Sequence, residues 1–324
     1  MSDALRILYR DPDRFPYLAL MRRCARQRGV ELALERWAFS PAITRTGEEW
    51  GDLLEREEVD VIAENYWGLQ TYRARGVPFL SLASASNTWT EKLYVHPSIT
   101  RVSDLAGTRM ALRGVGPQTL FPVMWLADVG LAGQVDAVLF PESETGRWGH
   151  WKKVADGTCQ SCFMTPLYAP AAAAAGLVEL PYQPYSFDGG HVTLTTTEHL
   201  AAAKRPQIQT LIDAAFDASE LFADRAAAVR ETIRSECTNL LREHFPAVPD
   251  EVELTRIEDV IRAELAPVPV PTAEGIATAH RMRLRQAPEL ASFNPLTMWD
   301  LSFARRAAQE RNTRAGSEAR PGHR

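Results

Sequence analysis

The chain has 324 residues, of which 45% are hydrophobic and 24% charged, and its formal net charge is −5. That length exceeds what one hydrophobic core comfortably serves, so two lobes are expected. The acidic balance leaves no basic surplus to neutralise phosphates, which argues against a nucleic-acid partner.

The first residues run directly into an apolar strand, Leu5-Arg6-Ile7-Leu8-Tyr9. They lack the apolar stretch and small-residue cleavage site of a secretory signal, which implies a cytoplasmic protein. After the polar turn Arg10-Asp11-Pro12-Asp13 a helix begins near Phe15, with Pro16 in its first turn, and ends at Gly29. Val30–Trp37 reads as a second strand. Thr46-Gly47-Glu48-Glu49 has capping-box spacing and opens a helix that buries Trp50, Leu53 and Leu54. Val59–Ala63 and Val77–Ala83 are the next strands. This alternation implies a parallel sheet covered on both faces.

A second unit of the same kind begins beyond residue 90. Ser103–Gly107 is a short helical turn, and Arg109–Leu112 a strand. The loop Arg113-Gly114-Val115-Gly116-Pro117-Gln118 leads to a helix that stops at Gly130. Val135–Phe140 is a strand, and Arg147–Ala155 a helix with Trp148, Trp151 and Val154 on its buried face, which leaves His150 solvated. Thr158–Met164 is another strand. Within it Cys159-Gln160-Ser161-Cys162 has the spacing of half a zinc or redox site, but no second pair accompanies it, so buried thiols are expected and no metal or cofactor. The run Ala169–Ala175 is too short to span a bilayer, so no membrane insertion is expected. After about residue 190 the pattern turns helical, with periodic apolar residues from Ile208, over Val229–Leu241 and from Leu254. An extended linker, Ala266-Pro267-Val268-Pro269-Val270-Pro271, follows, then a helix capped by Thr272. Residues 305–324 are polar and rich in Gly and Arg, the composition of a disordered tail.

Several segments resemble the NMT1/THI5-like (SsuA-like) branch of the type II periplasmic binding proteins. Val102-Ser-Asp-Leu-Ala-Gly-Thr-Arg-Met-Ala-Leu112 is similar to that family's entry to its second lobe. Trp125–Leu131 and Val135–Leu139 follow in the family's order, and Val154–Gly157 with the strand behind it fits a further segment, with Gln160 where Asp is usual. Phe293–Leu301 is similar to closing segments of 4,5-dihydroxyphthalate decarboxylase-like members. The resemblance covers roughly residues 5 to 300 and rests on collinearity. It implies an α/β fold of two lobes, each a mostly parallel sheet flanked by helices. The chain would cross between them near Leu82–Leu93 and Tyr182–Thr195. Residues 1–87 with 189–304 would form one lobe, 88–188 the other, with the ligand in the cleft between them.

In open α/β sheets, ligands bind beyond the carboxyl ends of the strands. That rule selects Asp11 after the first strand and Glu64-Asn65-Tyr66-Trp67 after the third. It also selects Ser86 and Asn87 at the first crossing, Gly114, Gln118 and Thr119 at a glycine-rich helix entry, and Ser143 after a later strand. Asp188-Gly189-Gly190-His191 at the second crossing offers His191 as acid or base, with Glu64 as the other candidate catalytic group. Tyr66 or Trp67 would stack on a flat acid, and the N–H groups near Gly116–Thr119 would take its carboxylate.

Two functions follow. A chain without an export signal, on this scaffold, reads as a cytoplasmic enzyme: a decarboxylase or other lyase acting on a small, aromatic carboxylic acid. The alternative is the substrate-binding protein of an ABC transporter, or a cytoplasmic ligand sensor. A small-molecule ligand and a homodimer are the expected partners.

Overall fold

The strand–helix alternation resolves into two five-stranded sheets. The computed structural model describes residues 4–10, 14–37, 48–113, 117–146, 148–188, 192–237 and 250–318. The strands are β1 (Leu5–Tyr9), β2 (Leu32–Arg36), β3 (Val61–Glu64), β4 (Phe79–Ser84), β5 (Lys92–Val95), β6 (Arg109–Arg113), β7 (Asp136–Phe140), β8 (Ser161–Met164), β9 (Val178–Leu180) and β10 (Thr193–Thr197). One sheet has the order β2-β1-β3-β10-β4 and the other β7-β6-β8-β5-β9. β1 lies parallel to β2 and β3, and β6 parallel to β7 and β8. β10 returns from the second sheet to insert antiparallel between β3 and β4.

The helices are α1 (Phe15–Gln27), α2 (Glu48–Glu55), α3 (Gln70–Ala74), α4 (Pro117–Asp128), α5 (Glu142–Thr145), α6 (Lys152–Ala155), α7 (Ala169–Ala174), α8 (Glu198–Ala203), α9 (Arg205–Ala223), α10 (Ala227–Thr232), α11 (Glu251–Glu264), α12 (Ala273–Leu284) and α13 (Ser302–Glu318). Their ends are set by local chemistry. Asp250 and Glu253 form a reciprocal capping box at the start of α11, and the Thr272 hydroxyl caps α12 by accepting from Gly275 N–H at 2.9 Å.

α1 and α9 pack together on the first sheet, joined by Leu18, Met21, Leu211 and Phe216. The Tyr17 hydroxyl, buried between them, donates to the Ala215 carbonyl at 2.8 Å. A second core is shared by the two sheets. Ile62 and Phe79 come from the first, Phe121 and Phe163 from the second, and Met282 from α12. Among the described residues no helix is long and apolar enough to cross a membrane.

Four local expectations need correction. His150 is buried, because the segment forms a 3-10 turn (Gly149–Trp151) before α6 and the imidazole Nε2 donates to the Phe163 carbonyl at 2.6 Å. That turn follows Trp148 in a left-handed conformation, φ 63°, which ends any continuous helix over Arg147–Ala155. The helix read over Val229–Leu241 ends as α10 at Thr232 and continues as a π turn, Ile233–Cys237; residues 238–249 lie outside those described. The segment from 305, expected as a disordered tail, continues α13 to Glu318. Phe303, Ala304 and Ala307 enter the first core, and Arg311 pairs with Asp217 and Glu220 on α9. Those anchors are tertiary, so composition does not reveal them.

Asp60, one residue before β3, is 1% exposed and accepts from Arg6 N–H (2.9 Å), the Arg6 guanidinium (3.2 Å) and Lys204 Nζ (2.9 Å). Burial alone would raise its pKa, but these donors outweigh it and hold the carboxyl below its ordinary value. The stabilisation is therefore present above the unfolded carboxylate pKa and is lost as pH falls through the depressed folded value. Asp60→Asn is expected to cost about 2 kcal/mol in urea unfolding at pH 7, with the difference from wild type shrinking below about pH 4. A difference independent of pH would show that the charge contributes nothing.

Candidate functional site

The carboxyl ends of β1, β3, β6 and β8 supply the candidate site. On the first sheet, Glu64 ends β3 fully buried; its carboxylate accepts from Arg10 N–H at 2.9 Å and from Arg14 Nε at 3.1 Å to each oxygen. Arg14 is itself buried, one residue before α1. β10 sets Thr193 opposite both Glu64 and Ser84, so the three share one row at the sheet edge. Thr193 Oγ1 and Asn65 Oδ1 are buried there without a hydrogen-bond partner among the described residues. Buried polar atoms in native proteins are normally satisfied, so this edge has acceptor and donor capacity to offer.

On the second sheet, Arg113 ends β6 and is buried, with its guanidinium carbon 3.1 Å from the centroid of the Trp148 ring. Cation–π attraction holds a guanidinium against an indole, and the planar N–H fork of arginine suits a carboxylate or sulfonate. The first turn of α4 follows closely: Thr119 Oγ1 donates to the Arg113 carbonyl at 3.2 Å. Beside β6, β8 ends at Met164, and Thr165 caps the next turn (Pro166–Tyr168).

The two crossings pair with each other. Thr88 and Ser186 form an antiparallel bridge, Trp89 N–H donates to the Tyr185 carbonyl at 3.0 Å, and Phe187 N–H donates to the Asn87 carbonyl at 2.9 Å. Ser86 is buried, and its carbonyl accepts from the Ser84 hydroxyl at 2.9 Å. Asp188 then anchors the second crossing to α12: one carboxylate oxygen accepts from Thr272 N–H (2.8 Å) and the Thr272 hydroxyl (2.9 Å). The fit requires glycine at 275, because a Cβ there would lie 1.9 Å from that oxygen. The other oxygen is buried without a partner among the described residues.

The structure treats the sequence-selected residues unequally. Glu64, Asn65, Ser86, Asn87 and Thr119 lie at strand ends or the first crossing, as described. Tyr66 and Trp67 are buried in the shared core, Tyr66 edge-on to Trp299 at 4.9 Å and Trp67 beneath the Arg283 guanidinium at 5.3 Å. Both rings are already packed on protein, so neither presents an open face for stacking. Asp11, Gly114 and His191 lie outside the described residues, as do the side chains of Gln118 and Ser143 on α4 and α5. Sequence reasoning passed over Arg14, Arg113 and Trp148. The available signal was an arginine closing an apolar strand directly before Gly-x-Gly. All four cysteines are free and buried, and burial pushes the Cys162 thiol up, away from reactive thiolate. No group of three or more His, Cys, Asp or Glu among the described residues could hold a metal.

No protein-family model matches this sequence. No curated protein does either. Solved structures do match over nearly the whole chain. SsuA from Methylobacillus flagellatus, named as a periplasmic sulfonate-binding protein, superposes with a TM-score of 0.68 at 14% identity over 96% of this chain and 95% of that one. This is the type II periplasmic-binding-protein fold. The alkanesulfonate-binding protein SsuA of Xanthomonas axonopodis pv. citri, bound to MOPS, gives 0.56 at 17% identity, covering 94% and 97%. The desulfurization enzyme DSZB gives 0.57 at 16% identity, covering 95% and 99%. The SsuA-like part of the resemblance thus stands at the level of fold, and nothing in these neighbours supports its decarboxylase-like part. They also overturn the cytoplasmic expectation, since the SsuA neighbours are periplasmic proteins. That expectation rested on where the sequence begins, which is no guide to compartment.

Burial pushes the Asp188 carboxyl up to about 6, against the Thr272 donors, which lower it. A folded value above the unfolded one means that stability falls as pH rises from about 4 to about 6 and stays lower above that. Asp188→Asn keeps the acceptor for Thr272 and removes the charge. It should raise stability at pH 7 by up to about 3 kcal/mol and flatten the pH dependence of the unfolding midpoint. An unchanged slope between pH 4 and 6 would assign the titration to another group.

Proposed function

We propose that this protein binds a small organic oxyanion, a sulfonate or a carboxylate, between its two lobes and serves as a solute-binding protein of the kind used by ABC transporters. The lobes follow the crossings: residues 1–87 with 189–304, and 88–188. The observation that carries this reading is the buried Arg113 guanidinium, held over Trp148 at the carboxyl edge of the second sheet. A guanidinium held against an indole beside the entry to α4 offers its planar N–H fork to an oxyanion at that edge. On the first sheet Arg14 is matched to Glu64, and Asn65 and Thr193 are the neutral polar groups available to the rest of the ligand. The sulfonate-binding neighbours of the same fold agree with this chemistry.

The lyase reading has less behind it. Glu64 is occupied by Arg10 and Arg14 rather than poised to exchange a proton with a ligand, and Tyr66 and Trp67 are committed to the core. The solute-binding alternative therefore takes precedence.

Isothermal titration with a panel of small sulfonates and carboxylates tests the proposal. Micromolar binding of at least one is expected. Arg113→Gln should weaken that ligand by about 100-fold, the ~2.7 kcal/mol typical of a charge-assisted hydrogen-bond pair, without lowering the melting temperature by more than a few degrees. Binding that survives the substitution unchanged would remove Arg113 from the site. Turnover of the bound acid would restore the enzyme.

A further inference from the structure

We infer that Leu167 is a latch that holds the two lobes shut without ligand, and that exchange at the Arg113 edge waits on its withdrawal. This rests on the lobe division of the binding-protein reading and not on its ligand. Leu167 belongs to the second lobe, in the turn Pro166–Tyr168 that follows β8. Among the described residues it is the one member of 88–188 in the core cluster of the first lobe, where it is 6% exposed. Ile257, Val260 and Ile261 of α11 and Pro16 of α1 surround it, and the gap left between them is only about 10 Å3. The turn that presents it is stiff. Pro166 fixes its first residue, and Thr165 Oγ1 accepts from Leu167 N–H at 3.4 Å. The Arg256 guanidinium on α11 donates to the Leu167 carbonyl, so one helix holds both its side chain and its backbone.

The latch joins the two carboxyl edges that supply the candidate site. β8 lies beside β6 in the parallel register Ala111↔Cys162, which sets Met164 level with Arg113 and brings in the latch turn directly after it. On the first lobe, Pro16 stands in the first turn of α1, beside Arg14, the partner of Glu64. Parting the lobes here returns a buried leucine to water, a cost that is the same whether or not an anion is bound. Its effect on exchange follows from populations. A contact made equally in the empty and the filled closed state leaves affinity unchanged while the closed state predominates, but slows entry and exit by one common factor. Leu167 and Arg256 thus set the rates of exchange without touching the anion.

Small-angle X-ray scattering without any anion tests the latch. The wild type should give a radius of gyration near the ~20 Å of a compact chain of its length. Leu167→Asp, which sets a charge against the apolar seat but meets only water once the lobes part, should raise it by about 1 Å, whereas Leu167→Met should not. Arg256→Ala, which leaves the seat intact, should act in the same direction and more weakly. In stopped-flow tryptophan fluorescence with ethanesulfonate, Leu167→Ala should speed association and release together by about tenfold, with Kd changed by less than about threefold. An expanded wild type, an unchanged radius in Leu167→Asp, or release that rises alone with a matching loss of affinity would overturn the latch and leave the anion-binding function intact. Failure of every anion to bind would overturn that function, and the scattering, which contains no anion, would still decide the latch.

Discussion

The fold depends on the antiparallel pairing of its two crossings. A chain that leaves one sheet and returns to it creates two strands of connecting backbone, and their amide groups must be satisfied where the lobes meet. Here they satisfy each other, through Thr88 with Ser186 and through the bonds of Trp89 and Phe187. Asp188 then fastens the strap to the start of α12, at the cost of burying a carboxyl in a place that disfavours its charge. Because β10 begins directly after this strap, the same pairing decides that a second-lobe return strand enters the middle of the first sheet. The row Glu64–Thr193–Ser84 exists only because of that insertion.

From this constraint the distribution of charge at the cleft follows. The first sheet brings a cation and an anion that neutralise each other, Arg14 and Glu64. The second brings Arg113, spread over an indole face. Low dielectric magnifies both arrangements. Arg14 is held by a carboxylate in that medium, whereas Arg113 is held against an aromatic ring.

Much of the architecture was legible in the sequence. Apolar strands such as Leu5–Tyr9, bounded by turn residues, and helices with a single buried stripe announce themselves locally, since periodicity of 2 and 3.6 is a property of neighbours in the chain. The site was legible only as a set of loops. Glu64 and Ser86 were found because they follow strands, but the partners of Glu64, Arg10 and Arg14, lie 50 or more residues away. Trp67 looked like a stacking ring and proved to be core. His150 looked solvated because a helix was assumed where a left-handed residue turns the chain inward. The helix α13 was hidden by its polar composition, which Arg311 converts into ion pairs with α9.

The sequence by itself determined the alternation of strands and helices, the second repeating unit and the places where strand-end loops would be. Only the tertiary structure decided where β10 goes, that Arg14 meets Glu64 and Arg113 meets Trp148, and which aromatic rings are already packed. The division has one physical cause. Secondary structure is written in the spacing of residues close along the chain, whereas burial, ion pairing and open ligand surface are relations between residues that only the folded packing brings together.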